Sequence, residues 1–182
     1  MSAVLVIAAH PDLARSRVNR ALAEAARAAG GEVAVRDLYA LYPDFVVDVE
    51  AEQAALAEAQ AIVWLHPVQW YAMPALMKLW LDEVFTAGWA YGPGGGALRG
   101  KRLLLALSTG GPESSYRPGG VHDHPFEAFL APHRQTAALC GLVMLPPRVV
   151  HGAHRLDAAA IAAEAAAFAE ALRALADAVP AP

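Results

Sequence analysis

One short stretch of this chain combines polar and aromatic side chains with two prolines in a way that packing alone does not explain. Its sequence is Leu65-His66-Pro67-Val68-Gln69-Trp70-Tyr71-Ala72-Met73-Pro74. It follows an apolar run at residues 61–64, typical of a buried strand, and precedes a helical pattern over residues 75–85. A tight turn between a strand and a helix therefore exposes an amide, an indole and a phenol. These groups suit a flat aromatic ligand at the carboxyl end of the strand.

The groups of residues 67–71 match one kind of flat ligand in particular. An isoalloxazine is planar, apolar at its dimethylbenzene edge and rich in acceptor atoms at its pyrimidine edge. Trp70 and Tyr71 suit stacking on such a ring, and backbone N–H groups suit its nitrogen and oxygen atoms. The alternative is that both side chains belong to the core. Their position in a loop between Pro67 and Pro74 weakens that alternative.

A second polar segment, residues 10–19, follows the apolar run 3–9 and leads into a helical pattern. Ser16 is placed to cap that helix, and the unpaired N–H groups at a helix start attract phosphate. His10, Arg15 and Arg17 add donors for charge-assisted hydrogen bonds. The alternative interpretation is an ordinary helix cap with solvated arginines and no bound phosphate, and the sequence of this segment fits it equally well. The segment lacks G-x-x-x-x-G-K-[ST] and G-x-G-x-x-G, which disfavours a nucleoside triphosphatase or a Rossmann dinucleotide site.

A third segment begins at Ser108-Thr109-Gly110-Gly111, directly after another apolar run. Paired glycines let the backbone approach a ligand closely. Tyr116 and His122 follow as proton-bearing groups able to hydrogen-bond a reducible oxygen. The plainer interpretation is a glycine-rich loop with incidental polar residues. The pattern His122-Asp123-His124 is too weak to predict a metal site, and we expect none.

Strand and helix patterns alternate along the chain and position these three segments. Strands are predicted at residues 3–9, 32–38, 61–66, 103–108 and 142–150, and helices at 17–29, 49–59, 75–85, 125–138 and 157–178. Pro146-Pro147 interrupts the fifth strand and favours an edge or a bent segment, and Asp157 is placed to cap the last helix. This alternation predicts one α/β domain over residues 1–182, with a five-stranded parallel sheet of order 2-1-3-4-5 between helices. Ligand groups should then cluster after Ala9, His66 and Ser108, around the switch point between strands 1 and 3.

Composition narrows the function classes. The formal net charge of −4 gives no electrostatic footprint for nucleic acid, and we expect no such partner. The single cysteine, Cys140, excludes an internal disulfide and suits a reducing compartment. Neither a basic leader after Met1-Ser2 nor an apolar run long enough to span a bilayer is present in the sequence. We therefore expect a cytoplasmic protein.

Several motifs occur in an order that is more specific than any one of them. They are Val4-Leu5-Val6-Ile7-Ala8-Ala9-His10-Pro11, Leu41-Tyr42-Pro43-Asp44-Phe45, His66-Pro67-Val68-Gln69-Trp70-Tyr71, Lys78-Leu79-Trp80-Leu81-Asp82, Gly88-Trp89-Ala90-Tyr91-Gly92, Ser108-Thr109-Gly110-Gly111 and Cys140-Gly141-Leu142. Together they resemble the flavodoxin-like NAD(P)H:quinone oxidoreductases. The resemblance is greatest to the branch that includes general stress protein 14 and the ancillary protein of glutathione-regulated potassium-efflux systems.

The resemblance implies a flavodoxin-like three-layer sandwich that binds FMN, with FAD as an alternative. It implies that the phosphate and ribityl chain of the flavin contact His10, Ser16, Arg17, Val18 and Asn19. The isoalloxazine would lie against Pro67, Val68, Gln69 and Trp70, with Tyr71 beside them. The pyrimidine side of the isoalloxazine would contact Ser108, Thr109, Gly110 and Gly111. Tyr116 and His122 match the family's catalytic pair. Trp70, Tyr91, Tyr116 and His122 are the implied substrate contacts, with Tyr91 reaching the pocket of a partner subunit.

The implied activity is two-electron reduction of a quinone or a related acceptor by NAD(P)H. One pocket that serves both substrates in turn predicts ping-pong hydride transfer. The resemblance also implies a homodimer and allows a potassium-efflux transporter as partner, which would place the protein peripherally at the inner membrane. Two alternatives stay open at this point: a regulatory ancillary subunit of such an antiporter, and a flavodoxin-type electron carrier.

Overall fold

The sheet has the predicted order and lies between two layers of helices. A computed structural model describes residues 3–178, so the expectation at Met1-Ser2 lies outside the described residues. All strand pairs are parallel, in the order β2-β1-β3-β4-β5, and a sixth strand pairs with β4. The strands are β1 (Val4–Ala8), β2 (Val33–Asp37), β3 (Ala61–Pro67), β4 (Arg102–Ser108), β5 (Val143–Met144) and β6 (Arg148–Val150).

The helices are α1 (Val18–Ala28), α2 (Leu38–Leu41), α3 (Val49–Glu58), α4 (Ala75–Val84), α5 (Ala131–Leu139) and α6 (Ala158–Asp177). Helices α1 to α5 lie in the connections between successive parallel strands from β1 to β5, and α6 follows β6. The last helix begins as predicted, because the Asp157 side chain accepts a hydrogen bond from the Ala160 N–H. None of the described helices is both long enough and apolar enough to cross a bilayer.

The strands are buried on both faces, which explains their nearly continuous apolar sequences. Ile62 and Trp64 face a core with α3, α4 and α5, whereas Val63 and Leu65 face a second core with α1 and α6. In β3, residues Ala61 to His66 are all buried. The two cores fix the strand register, and the register brings the ends of β1, β3 and β4 to one edge of the sheet.

The fifth predicted strand is the element that differs most from its prediction. The segment 142–150 forms two short strands, because Pro146-Pro147 bends the chain between β5 and β6. Both pieces pair with β4, at its start and at its end. The predicted helix 125–138 likewise begins as a 3₁₀ segment, Phe126–Leu130, before α5. Helix α2, a single turn, was not predicted.

A buried carboxylate joins the helix layer to the edge of the sheet. Glu52 in α3 is fully buried and accepts hydrogen bonds from the Arg36 Nε at 2.7 Å, the Tyr42 hydroxyl at 2.5 Å and the Trp80 Nε1 at 2.9 Å. These partners come from β2, the end of α2, and α4. A fully buried charge is tolerated when it is paired and hydrogen-bonded, as it is here. The network anchors the segment 38–48 beside the ligand edge.

Candidate active site

The loops that follow β1, β3 and β4 meet at the carboxyl edge of the sheet. The Asn19 side chain, in the first turn of α1, donates to the Ser108 hydroxyl at 2.8 Å. The Val68 N–H donates to the Ser108 carbonyl, also at 2.8 Å. Ser108 at the end of β4 therefore joins all three loops. This is the switch-point crevice in which α/β sheets of this order bind ligands.

The first loop presents a helix start with open donors. The Ser16 hydroxyl accepts from the Asn19 N–H at 3.2 Å and caps α1. Among the described residues, the N–H groups of Arg17 and Val18 have no acceptor. An anion is favoured at such a position by the unpaired donors and by the helix dipole. The arginine side chains of this loop are exposed.

His10, close to the start of α1, has a neutral imidazole that can donate a hydrogen bond. Its Nδ1 accepts a hydrogen bond from the Asp12 N–H at 3.0 Å, so in the neutral ring the proton is on Nε2. Burial lowers the pKa of His10 below its ordinary value, and the nearby Asp12 opposes that shift only in part. A neutral His10 with a free Nε2–H can donate to a ligand oxygen.

Asn19 carries an unused acceptor inside the crevice. The residue is 3% exposed, and its amide nitrogen is already engaged by Ser16 and Ser108. Its Oδ1 is buried and accepts no hydrogen bond from any described residue. A buried unsatisfied acceptor costs free energy, so a donor from a ligand is the expected partner. A hydroxyl-bearing chain such as the ribityl group of FMN supplies such donors.

The second loop is a strained turn that displays two aromatic rings. Gln69 and Ala72 exchange hydrogen bonds of 2.9 and 3.0 Å around Trp70 and Tyr71, whose φ angles are 48° and 65°. These are the φ signs of a type I′ turn, which normally carries glycine or asparagine. Trp70 is 93% exposed and Tyr71 46%. Strain of this kind at Trp70, whose ring is almost fully exposed and so contributes little packing, points to a function in binding.

The third loop holds its backbone in one orientation. The Gly111 carbonyl accepts from the Thr109 hydroxyl at 2.8 Å and from the Gly152 N–H at 2.9 Å. The N–H groups of Gly110 and Gly111 donate to no described residue. A Cβ atom at position 111 would lie 2.9 Å from the His122 Nε2, so only glycine fits there without displacing that ring. The turn therefore offers donors to the acceptor-rich edge of a ligand.

Tyr116 and His122 lie together at this turn. Their rings stack with centroids 4.3 Å apart and planes inclined by 26°. The Tyr71 hydroxyl lies 3.4 Å from the His122 Nδ1, a long contact that links the second loop to the third. The Tyr71 ring also stacks on Phe129 at 4.9 Å. The site thus has a phenol and an imidazole side by side, both able to hold or donate a proton.

Sequence reasoning missed His151, His154 and Phe129 as residues of this edge. His151 contacts Thr109 and Tyr116, and the His154 ring would lie 3.4 Å from a Cβ at Gly110. A signal was available for the two histidines, since they follow the fifth predicted strand, whose carboxyl end lies at the same edge. The predicted strand ends at Val150, as β6 does, but ligand groups were expected only after the first, third and fourth strands.

Tyr91 lies apart from the three loops. Its segment, residues 85–101, leads from the end of α4 into the start of β4, the end opposite Ser108. Within the described chain, no hydrogen bond or aromatic contact joins Tyr91 to the loops. The described residues of this chain therefore do not bring Tyr91 together with the other predicted site residues. Within residues 3–178, no group of three or more His, Cys, Asp or Glu side chains is arranged to hold a metal ion.

Two buried histidines lie beneath the second loop. His66 and His133 are 0% and 3% exposed, and their rings stack with centroids 5.6 Å apart. The His66 Nδ1 donates to the Pro67 carbonyl at 2.9 Å, since a carbonyl only accepts. Burial lowers the pKa of His66 to about 3 and that of His133 to about 4. Both rings are therefore neutral at physiological pH and act as packing groups.

A known protein family and several solved structures are similar to this chain. The model of a family described as having a flavodoxin-like fold matches residues 2–174. General stress protein 14 from Treponema denticola, in complex with FMN, is 37% identical, with 94% of this chain and 98% of that chain covered and a TM-score of 0.88. A structure described as a thermophilic tryptophan halogenase from Streptomycin violaceusniger is 40% identical, covers 91% and 96%, and has a TM-score of 0.87. An NADPH-quinone reductase from P. pentosaceus is 28% identical, covers 99% and 100%, and has a TM-score of 0.82.

Proposed function

This chain belongs to the family with the flavodoxin-like fold, and from that premise we propose that it is an FMN-dependent NAD(P)H:quinone oxidoreductase. Two neighbours support the assignment by what they are: general stress protein 14 was crystallised with FMN, and the P. pentosaceus protein is an NADPH-quinone reductase. The proposal includes a single pocket that the nicotinamide and the quinone occupy in turn, and hence ping-pong kinetics.

The described residues fit FMN. The buried Oδ1 of Asn19, which has no donor among the described residues, can accept a hydrogen bond from a hydroxyl of the ribityl chain. The N–H groups at the start of α1, which have no acceptor among the described residues, can bind the phosphate. The free N–H groups of Gly110 and Gly111 match the acceptors of the pyrimidine edge. The residues that would hold the cofactor are His10, Ser16, Arg17, Val18, Asn19, Pro67, Val68, Gln69, Trp70, Tyr71, Ser108, Thr109, Gly110 and Gly111. When bound, FMN supplies two-electron hydride exchange between a nicotinamide and a quinone.

The roles of the chain's own residues follow from their positions. Trp70, on its exposed turn, provides a face against which a flat substrate stacks and from which water is excluded. The Tyr116 hydroxyl and the His122 imidazole donate hydrogen bonds to the oxygen that gains negative charge as a quinone is reduced. The Tyr71 hydroxyl orients the His122 ring.

The observation that carries this proposal is the stacked pair Tyr116 and His122 beside a glycine turn with free N–H groups. A one-electron carrier has no need of such a pair. The test is to load the protein with FMN, add NADPH without oxygen, follow the loss of the yellow colour, and then add a naphthoquinone. We expect the colour to bleach and return, and parallel lines in double-reciprocal plots.

Variants at the pair test their assignment. Tyr116→Phe and His122→Gln should each lower the rate of quinone reduction by roughly 10²-fold or more while FMN stays bound. Unchanged turnover would remove the assigned roles. Rapid reduction of cytochrome c without quinone turnover would support the electron carrier instead. Halogenation of tryptophan by the FMN-loaded protein would contradict the proposal and support the activity named for the structure described as a tryptophan halogenase. The mass of the released cofactor distinguishes FMN from FAD.

The same proposal includes a homodimer whose partner supplies Tyr91. Large apolar side chains are exposed around the ligand edge, among them Phe45, Val46, Trp70 and Val121. Exposed apolar residues grouped in this way are typical of interaction surfaces. Sedimentation measurements test the dimer, and Tyr91→Ala should then raise the KM for quinone. A cytoplasmic location and a potassium-efflux transporter as partner stay predictions, for which co-purification from membranes is the test.

A further inference from the structure

His151 contacts both the glycine turn and the proposed catalytic tyrosine, although nothing in the sequence motifs points to it. It follows β6 directly. Its Nδ1 lies 3.0 Å from the Thr109 Oγ1. Its ring centroid lies 5.3 Å from that of Tyr116 and 5.1 Å from that of Phe126, which it meets at 88°. The residue is half-buried.

The hydrogen bonds around Thr109 determine which nitrogen of His151 carries the proton. The Thr109 hydroxyl has one proton, and at 2.8 Å it faces the Gly111 carbonyl, which can only accept. That proton is therefore used, and the contact between Thr109 and His151 requires the proton of His151 Nδ1. Burial lowers the pKa of His151, against the opposing charges of Glu113 and Glu127. The neutral ring then has Nδ1–H as donor and Nε2 as acceptor.

The backbone on either side of His151 closes the same turn. The Thr109 N–H donates to the Val150 carbonyl at 3.0 Å, and the Ala153 N–H donates to the Thr109 carbonyl at 2.8 Å. The Gly152 N–H donates to the Gly111 carbonyl at 2.9 Å. The carbonyl at Gly111 thus has two donors, one from the Thr109 side chain and one from the backbone after His151. His151 supplies the side-chain part of this arrangement.

We propose that His151 is a positioning residue for the ligand edge. Its Nδ1–H holds the Thr109 hydroxyl so that Thr109 ties down the Gly111 carbonyl, and the free N–H groups of Gly110 and Gly111 are presented to the bound cofactor. Its ring supports Tyr116. The identity of that cofactor rests on the proposed function, whereas the tautomer of His151 does not.

Substitutions at position 151 separate hydrogen bonding from packing. In His151→Asn, the side-chain amide can donate from the place of Nδ1, whereas His151→Leu keeps apolar packing against Tyr116 and Phe126 without a donor. The dissociation constant of FMN, measured by quenching of flavin fluorescence, should rise about fivefold to tenfold in His151→Leu. In His151→Asn it should stay within about threefold of the wild-type value. Circular dichroism of each apoprotein verifies folding.

The result that would overturn the proposal is equal FMN affinity in His151→Leu and the wild type, or equal loss in both variants. A second measurement requires no cofactor. Long-range ¹H–¹⁵N spectra of the apoprotein at neutral pH should show His151 protonated on Nδ1 and not on Nε2. A proton on Nε2 alone would overturn the proposal even if FMN binds. Failure of the wild type to bind FMN, with Nδ1 protonated, would contradict the proposed function and leave the role of His151 in the turn supported.

Discussion

The amide nitrogen of Asn19 lies 2.8 Å from the hydroxyl of Ser108, 89 positions further along the chain. The first residue is in the opening turn of α1, the helix that follows β1, and the second ends β4; in the sheet, β3 lies between β1 and β4. The bond therefore crosses the carboxyl end of β3 and closes the floor of the crevice. It also leaves the Asn19 Oδ1 as a buried acceptor for a ligand.

The first prediction concerns this acceptor. Asn19→Ala should raise the dissociation constant of FMN about tenfold and lower the free energy of unfolding of the apoprotein by about 1–3 kcal/mol, because the buried Ser108 hydroxyl loses its donor. Ser108→Ala removes the bridge but keeps Oδ1, so its FMN affinity should fall less. Fluorescence titration and urea unfolding measure the two quantities. If Ser108→Ala loses as much FMN affinity as Asn19→Ala, then the hydrogen bond between Asn19 and Ser108, and not the Asn19 Oδ1 acceptor, determines FMN binding.

The strained turn gives a second prediction. A left-handed conformation costs a non-glycine residue about 1–2 kcal/mol, and the exposed Trp70 ring adds little stability. Trp70→Gly should therefore leave the free energy of unfolding of the apoprotein unchanged or raise it by up to about 1 kcal/mol, and weaken FMN binding. Trp70→Ala is the matched control, since it removes the ring but keeps the strain. It should weaken FMN binding to the same degree without any gain in stability. Wild-type FMN affinity in both variants would argue against stacking at Trp70.

The buried histidines make stability depend on pH. Their pKa values of about 3 for His66 and about 4 for His133 lie below the ordinary 6.5, so the unfolded chain binds more protons than the folded one between these values and 6.5. Their contribution is fully present above about pH 6.5 and is lost as the pH falls. Between about pH 7 and about pH 5, each should remove about 2 kcal/mol from the free energy of unfolding.

His133→Phe tests this dependence, because phenylalanine keeps a ring at the stack with His66 without binding a proton. The fall in the free energy of unfolding between the two pH values, measured with urea, should be smaller than in the wild type by about 2 kcal/mol. His124→Phe is the control, since His124 is exposed. The same pH dependence in His133→Phe and the wild type would mean that the buried pair does not carry it.

The fourth prediction concerns the buried carboxylate of Glu52. Glu52→Gln keeps the shape but removes the charge that Arg36 faces at 2.6 Å, and Arg36 is 25% exposed. The free energy of unfolding should fall by about 2–4 kcal/mol, toward the lower part of the range for breaking a buried pair because water reaches Arg36. Asp82→Asn breaks the exposed pair with Lys78 and should cost less than about 1 kcal/mol. Equal losses in both variants would contradict the role given to burial.

The alternation of strand and helix patterns was sufficient to predict the sheet order, since right-handed crossovers leave few topologies for such a chain. It also placed the loops after β1, β3 and β4 at one edge, and the helix that Asp157 caps. These features depend on local periodicity and on caps, which a sequence displays directly. The split of the fifth strand was only partly visible, as Pro146-Pro147 marked an interruption but not that both pieces would pair with β4.

What the tertiary structure alone decided is how distant side chains meet. The stacking of His66 on His133, the left-handed turn at Trp70 and Tyr71, and the contact of His151 with Thr109 have no local pattern. A strand's periodicity tells which face a residue occupies, but contacts across elements depend on register and packing to within about an ångström. The sequence was therefore sufficient to predict the residue types of the site. The hydrogen bonds that orient these residues depend on close packing of segments that are far apart in sequence.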